Sequence, residues 1–480
     1  MLQTIKPVSP VLHTLRKQPK LYPVALACAP PIMTIAFAVR RRSPELVGPA
    51  RKTPRETKRM SDIEDQVGLR WHVPFVLFYR ARRGGGAAGA DDRDDDPAAV
   101  VRRTLGEALV PYYPLAGRLR EVEGQKLVVD CTGEGVLFVE ADADVRLAEL
   151  EAAGLTPPFP CMDQLLFDVD GSGGVLDSPL LLIQVTRLRC GGFAFALRLN
   201  HTMCDAAGIV QFMTAVGDLA RGLPSPIIAP VWSRELLDAR RPPRPSFLHH
   251  EYDPVPPTPF PPASDMVTRT FTFRPADIAA IKKSISTAHR GSGGNDKAST
   301  TTTFEALAAL VWRARTAALE IPDGEDVRLV VAASIRGGLG LPAGYYGNAC
   351  VYPAAVCAAG ALRCGTLGDA AALVREAKAA AAGAEYARST ADLMALRGRP
   401  SLAMANALIV SDNRHAGFRR VDFGWGEPVY GGPAAALFVL SFVVAVRDAD
   451  GEDDAIAVPV VLPRSAMERF ASEVGMMLKS

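Results

Sequence analysis

The stretch His201-Thr202-Met203-Cys204-Asp205 gathers residue types that could do chemistry. An imidazole titrates near neutral pH, so His201 can take a proton from a hydroxyl and give it up again, which is general-base work. It follows the alternating run Phe193-Ala194-Phe195-Ala196-Leu197-Arg198-Leu199, which predicts a strand. After it comes a run from Ala206 to about Leu219 that predicts a helix, with Ile209, Val210, Phe212, Met213 and Val216 on one face. The turn between them lifts a side chain out of the sheet while the strand behind holds it, a frequent place for catalytic residues. Taken alone, a histidine after a strand is more often structural. Asp205 has an ordinary role as well, the N-cap of the helix it opens. Cys204 is a poor nucleophile candidate, because a Cys–His pair is made by the fold and not by adjacency. Asn200-His201-Thr202 matches the glycosylation sequon, a common chance match, and a glycan there would block the site.

Three further stretches carry unusual side chains for their position. Asp422-Phe423-Gly424-Trp425-Gly426 sets two aromatics between glycines in a compact turn. Ser334-Ile335-Arg336-Gly337-Gly338 ends a strand with an arginine suited to a carboxylate, and Tyr345-Tyr346-Gly347-Asn348 follows in a loop. Singly, a packed turn, a surface arginine and a turn asparagine account for them.

The elements that must position these residues can be read in order. A strand is predicted at Val73–Tyr79, a solvated loop from Arg83 to Pro97 with an aspartate run, a helix from about Ala98 to Val110, and strands at 126–129, 136–140 and 180–188. The aspartate run lacks the glycine and distal glutamate of a calcium loop and is read as an insertion. Between 221 and 264 prolines crowd in and periodicity fades, the best domain boundary in the chain. Beyond it lie a strand near 268–273, a helix from Pro275, a helix from Phe304 opened by the capping-box pattern Thr302-x-x-Glu305, and a strand at 327–335. One Ala-rich helix at about 367–388, strands near 403–410, 437–446 and 456–462, and a final helix complete it. The mixed order implies α/β layers.

Composition narrows the function classes. With 480 residues the chain suits about three globular domains by length, or equally two larger ones, and its 54 basic and 52 acidic residues offer no electrostatic case for nucleic acid. Its 8 cysteines show no CxxC pair, so neither a zinc site nor a disulfide framework is expected, and free thiols in a reducing compartment, the cytoplasm, are. The first 44 residues are basic without an acid, like a transit peptide in composition, but Met33 offers a second start, and 1–32 reads as an extension ahead of the folded chain. No segment suits a membrane span, and no Gly-x-Ser-x-Gly elbow marks a serine hydrolase.

Taken together, His201-x-x-x-Asp205 near the middle and Asp422-Phe423-Gly424-Trp425-Gly426 near the end resemble the two signatures of the plant BAHD acyltransferases. The likeness is strongest to their benzyl alcohol O-benzoyltransferase branch, through Pro111 to Arg120, Val129 to Gly135, Leu199 to Ala206, and Asp422 to Pro433. It covers roughly Met33 to the end. The resemblance implies a monomer of two similarly folded α/β domains, 33–220 and 265–480, joined by the Pro-rich crossover 221–264, with a channel between them. It implies transfer of an acyl group, benzoyl first and acetyl or hydroxycinnamoyl second, from acyl-coenzyme A to a small alcohol such as benzyl alcohol. No permanently bound cofactor or metal is implied. His201 would be the base; Asp205 would turn away from substrate and pair with Arg336; Asp422, Gly424, Trp425 and Gly426 would be structural; Asn348 and Ser411 would border the channel. Val410-Ser411-Asp412 departs from the Thr-Ser-Trp run of the hydroxycinnamoyl branch, which speaks against shikimate as acceptor. The Gly-rich stretch usual after Gly-Gly-Pro is shortened to Pro433-Ala434-Ala435-Ala436 before Leu437, a loss expected to touch the channel or the fold. A condensation-type enzyme would have a second histidine where Asn200 stands.

Overall fold

The strand that delivers His201 runs over Phe193–Asn200 and is paired antiparallel on both sides, to Leu181–Leu188 and to His72–Tyr79. In the computed structural model, which describes residues 35–82, 96–169, 174–256, 259–290, 301–447 and 455–479, these strands lie in the middle of a seven-stranded sheet. Val136–Ala143 continues it in parallel beyond Leu181–Leu188, with Val39–Arg41 and Glu45–Val47 at that edge. Almost every side chain of His72–Tyr79 and Phe193–Asn200 is apolar because both faces are covered. Phe75, Leu77, Phe195 and Leu197 pack under the helices Pro97–Ala108 and Ala206–Ala220, while Val76, Phe78, Ala194 and Ala196 face the other way.

What covers that second face is another sheet. It orders Met266–Phe273, Ala455–Pro463, Leu440–Val446, Ala407–Asp412, Asp326–Ser334 and Cys350–Val351, with Ala354–Ala358 also on Asp326–Ser334. Phe442, Val444 and Ala457 meet the first sheet, and the alternate residues Val443, Val458 and Val460 turn to the helices Pro275–Arg290, Thr303–Ala318, Leu367–Ala380 and Arg464–Lys479. A three-stranded sheet of Thr57–Arg59, Lys126–Asp130 and Arg118–Val122 stands apart from both. The Thr302–Glu305 capping box forms, with Glu305 N donating to Thr302 Oγ1 at 3.3 Å and Thr302 N to the Glu305 carboxylate at 3.1 Å.

Several expectations are corrected. The Ala-rich helix is two, Leu367–Ala380 and Ala384–Leu396, broken around Gly383. The break receives a neighbour: a Cβ on Gly338 would press on the Ala382 carbonyl. The strand expected from 403 begins only at Ala407, after Asn406 in the left-handed region. Tyr430–Pro433, to which the sequence assigns no element, is an edge strand of the first sheet, paired with His72–Tyr79. From there residues 434–439 carry the chain directly into Leu440–Val446 of the second sheet, so the short Pro433–Leu437 stretch is the link between the sheets. The Pro-rich segment is anchored, with Arg234, Leu237, His249, Glu251 and Tyr252 buried. Most of the aspartate-run loop and the 1–32 extension lie outside the described residues. Among the described residues, no helix is long and apolar enough to cross a membrane.

Candidate active site

His201 sits in the turn after Asn200, half-buried, its N–H donating to the Trp71 carbonyl at 2.9 Å and its ring 6.0 Å from that of Trp71. Its Nδ1 is buried and finds no partner at hydrogen-bonding geometry. Burial lowers its pKa below the ordinary histidine value; its own carbonyl, Asp205 and Asn348 pull the other way without overcoming it. The ring is therefore neutral at neutral pH, the state a base needs.

Asp205 does two jobs at once. Its Oδ1 accepts from Gly208 N at 3.0 Å, capping Ala206–Ala220 as the sequence predicts. Both its oxygens also accept from Arg336, at 2.6 and 2.8 Å, and Ala349 N donates to Oδ2 at 3.0 Å. Burial alone would raise this carboxyl's pKa, but Arg336 and the two amides hold it below the usual range. A further Arg336 N–H goes to the Gly347 carbonyl at 2.8 Å. Gly208 is required here, since a Cβ would run into the Tyr346 carbonyl and Cys204.

Asn348, expected to border the channel, clamps the loop. Its Nδ2 donates to the His201 carbonyl at 2.8 Å and the Thr202 carbonyl at 2.9 Å, while its Oδ1 is buried without a partner. Ser411 is half-buried on Ala407–Asp412, opposite Ala332 and Phe442 in the ladder of the second sheet. Cys204 is fully buried and burial pushes its thiol pKa up, away from nucleophile chemistry. Asn200 is buried too, with Nδ2 on the Val175 carbonyl at 3.1 Å, so the sequon offers no acceptor for a glycan.

The Asp422 turn lies elsewhere. Asp422 Oδ1 accepts from Gly424 N at 2.7 Å and Gly426 N at 2.8 Å, and both glycines have positive φ, which makes the turn self-holding. Phe423 is buried against Tyr79 and Phe195; Arg82 lies 4.2 Å over the Trp425 ring and donates to the Gly424 carbonyl. The turn docks at Gly217, whose missing Cβ makes room for the Asp422 carbonyl. Gly217 is eleven residues along the helix from Ala206, so the two motifs are separated by roughly 17 Å along its axis.

Sequence reasoning missed Glu64 and Arg234. The two form a buried ion pair, and Arg234 also donates to the Met203 carbonyl at 3.1 Å. A cation in a Pro-rich, aperiodic segment carries no sign of burial; Ser61-x-x-Glu64 does carry a capping-box spacing, and Ser61 does bond Glu64. Among the described residues no group of three or more metal-type ligands gathers, and the seven described cysteines are free.

The chain matches the sequence profile of the Transferase family over residues 37–477. It belongs to that family, the BAHD acyltransferases. Its relatives within the family include benzyl alcohol O-benzoyltransferase of Petunia hybrida, 50% identical over 455 residues and covering 93% of this chain and 95% of that one. Alcohol acyl transferase 1 allele GSd of Malus domestica is 48% identical over 445 residues, covering 91% and 93%. Two solved structures share the BAHD fold: vinorine synthase, 21% identical with a TM-score of 0.66 over 92% of this chain and 98% of that one, and F. sporotrichioides TRI101 complexed with coenzyme A and T-2, 15% identical with a TM-score of 0.67 over 87% and 97%. At those identities the likeness is one of fold.

Proposed function

We propose that the chain transfers an acyl group from acyl-coenzyme A to the hydroxyl of a small alcohol, benzoyl to benzyl alcohol first and acetyl or hydroxycinnamoyl second. The observation that carries this reading is the half-buried imidazole of His201, its neutral form favoured by burial, on a turn whose His201, Thr202 and Met203 carbonyls are engaged, which leaves the ring as the group free to act. The names of the Petunia and Malus relatives supply the substrate class. In the proposed reaction His201 Nε2 takes the hydroxyl proton as the alcohol oxygen attacks the thioester carbonyl. A C–O bond forms, the C–S bond breaks, and the proton passes to the leaving thiolate, so no acyl-enzyme arises. One histidine suffices because a thioester is already activated; removal of the proton and positioning are what remain. Asp205 and Arg336 hold the loop, the Asp422 turn fixes the far end of the helix, and acyl-coenzyme A enters as a co-substrate rather than a resident cofactor. The protein is read as a cytoplasmic monomer.

The test is thiol release from a panel of acyl-coenzyme A donors with benzyl and other alcohols. Alcohol-dependent release that falls about 10²- to 10⁴-fold in His201→Ala is expected. Unchanged activity in that variant would remove His201 from the chemistry; no release with any donor from the folded chain would make it a silent ligand-binding relative.

A further inference from the structure

The turn that carries His201 exposes three successive peptide carbonyls, and two donors take all three. Asn348 Nδ2 holds those of His201 and Thr202, and Arg234 Nη2 holds that of Met203. One carboxylate stands behind both donors. Glu64, fully buried, pairs with Arg234 Nη1 and accepts from Asn348 N at 2.9 Å through Oε1, while Ser61 N and Oγ hold Oε2 at 3.2 and 2.9 Å. The guanidinium is enclosed by the rings of Trp232, Tyr346 and Tyr345 at 4.4, 5.0 and 5.2 Å. Gly347 leaves no space beside it, since a Cβ there would overlap Arg234 and Glu64. Segments about 170 residues apart, 61–64 and 234, are thus tied to 348 and to the His201 turn. A buried ion pair is weak as a source of stability, because an apolar pair of similar volume often does as well. The pair's bonds to the turn give it a different purpose.

We infer that Glu64 and Arg234 are positioning residues for His201, acting through the Met203 carbonyl and Asn348. The inference rests on the proposed role of His201. Arg234 has the two-pronged geometry the task needs: one N–H on Glu64, another on Met203. Lysine would keep the charge but not the fork.

Three variants test it: Arg234→Lys, Glu64→Gln, and the apolar pair Glu64→Leu with Arg234→Met. In thiol-release kinetics kcat should fall about 10- to 100-fold in all three, the size of effect expected from displacing a reacting group by a fraction of its reach. KM for both substrates should stay within about twofold, since no binding contact is removed. The apolar pair separates the roles: it should restore the unfolding midpoint and leave kcat low. A second readout needs no turnover. Carbethoxylation of His201 by diethyl pyrocarbonate, followed by peptide mass spectrometry, should proceed several-fold faster in Arg234→Lys, because the ring is less confined. Unchanged kcat and unchanged His201 labelling in folded variants would overturn the inference, as would kcat recovering with stability in the apolar pair. An inactive unsubstituted chain, or an active His201→Ala, would instead sink the reading of His201 as the base, and the labelling rates would still decide the positioning role.

Discussion

At the scale of single residues, Asp205 has too many partners to be a base. Its two oxygens accept from Arg336, Gly208 N and Ala349 N, so a proton placed on it would displace several charge-assisted bonds. Its worth is as an anchor. Arg336→Met would strand a carboxylate that is only 7% exposed, and the cost should be about 3 kcal/mol, the low end for a broken buried pair because the guanidinium itself is 25% exposed. Urea midpoints of the two proteins measure this. His201 gives a prediction of a different kind. Only its neutral form can accept the hydroxyl proton, and burial favours that form. The acid limb of kcat/KM should therefore have its midpoint below about 6.5, the ordinary histidine value. A pH–rate profile with the midpoint above that value would contradict the burial argument.

At the scale of elements, the strand His72–Tyr79 holds a pH-sensitive residue at its start. His72, paired in register with Asn200, is held neutral by burial and by Arg198, its pKa lowered to about 4. The unfolded chain binds this proton near 6.5 and the folded chain only near 4. Stability from this group is thus complete above 6.5 and lost as pH falls toward 4, by up to about 3 kcal/mol over that window. His72→Gln should flatten that part of a stability–pH curve measured by denaturant unfolding. The helix Ala206–Ala220 offers a steric counterpart. Gly217→Ala would push a methyl into the Asp422 carbonyl, and overpacking of that kind costs about 1–3 kcal/mol, readable as a lower unfolding midpoint. Elements of this sort were legible from sequence where one physical signal dominated. The Phe193 alternation, the Asp205 and Thr302 caps and the apolar face of the 206–220 helix all stand as read, because period and capping are local. The break at Gly383 was hidden because alanine is helical on either side of it, and the reason to stop there is a neighbour, Gly338, distant in sequence. The pairing of Glu64 with Arg234 was invisible for the same reason, since it spans about 170 residues.

At the scale of the molecule, the two sheets are not independent. A sequence reading cuts the chain at its proline-rich stretch, since composition changes there, and it assigns no element to Tyr430-Gly431-Gly432-Pro433, whose glycines and proline disfavour strands. Proline is tolerated at a sheet edge, and this strand is the edge beside His72–Tyr79. The first sheet is therefore completed by residues from beyond the crossover. Its inner face, Val76, Phe78, Ala194 and Ala196, is likewise covered by Phe442, Val444 and Ala457. A fragment ending at 264 would bare both an unpaired strand edge and an apolar face, a combination that promotes association. Residues 35–264 alone are expected to be aggregated or loosely packed, without a cooperative unfolding transition, and to be recovered as folded protein only when co-expressed with 265–480. The intact chain should unfold in urea with superimposable tryptophan-fluorescence and circular-dichroism curves, because neither sheet can lose its partner and keep its core. A monomeric 35–264 fragment with a sharp transition of its own would show that the inserted strand and the sheet-to-sheet contact are accessory. The channel implied between the halves would then lie between two bodies able to part, tied at the His201 turn by Asn348 and Arg336.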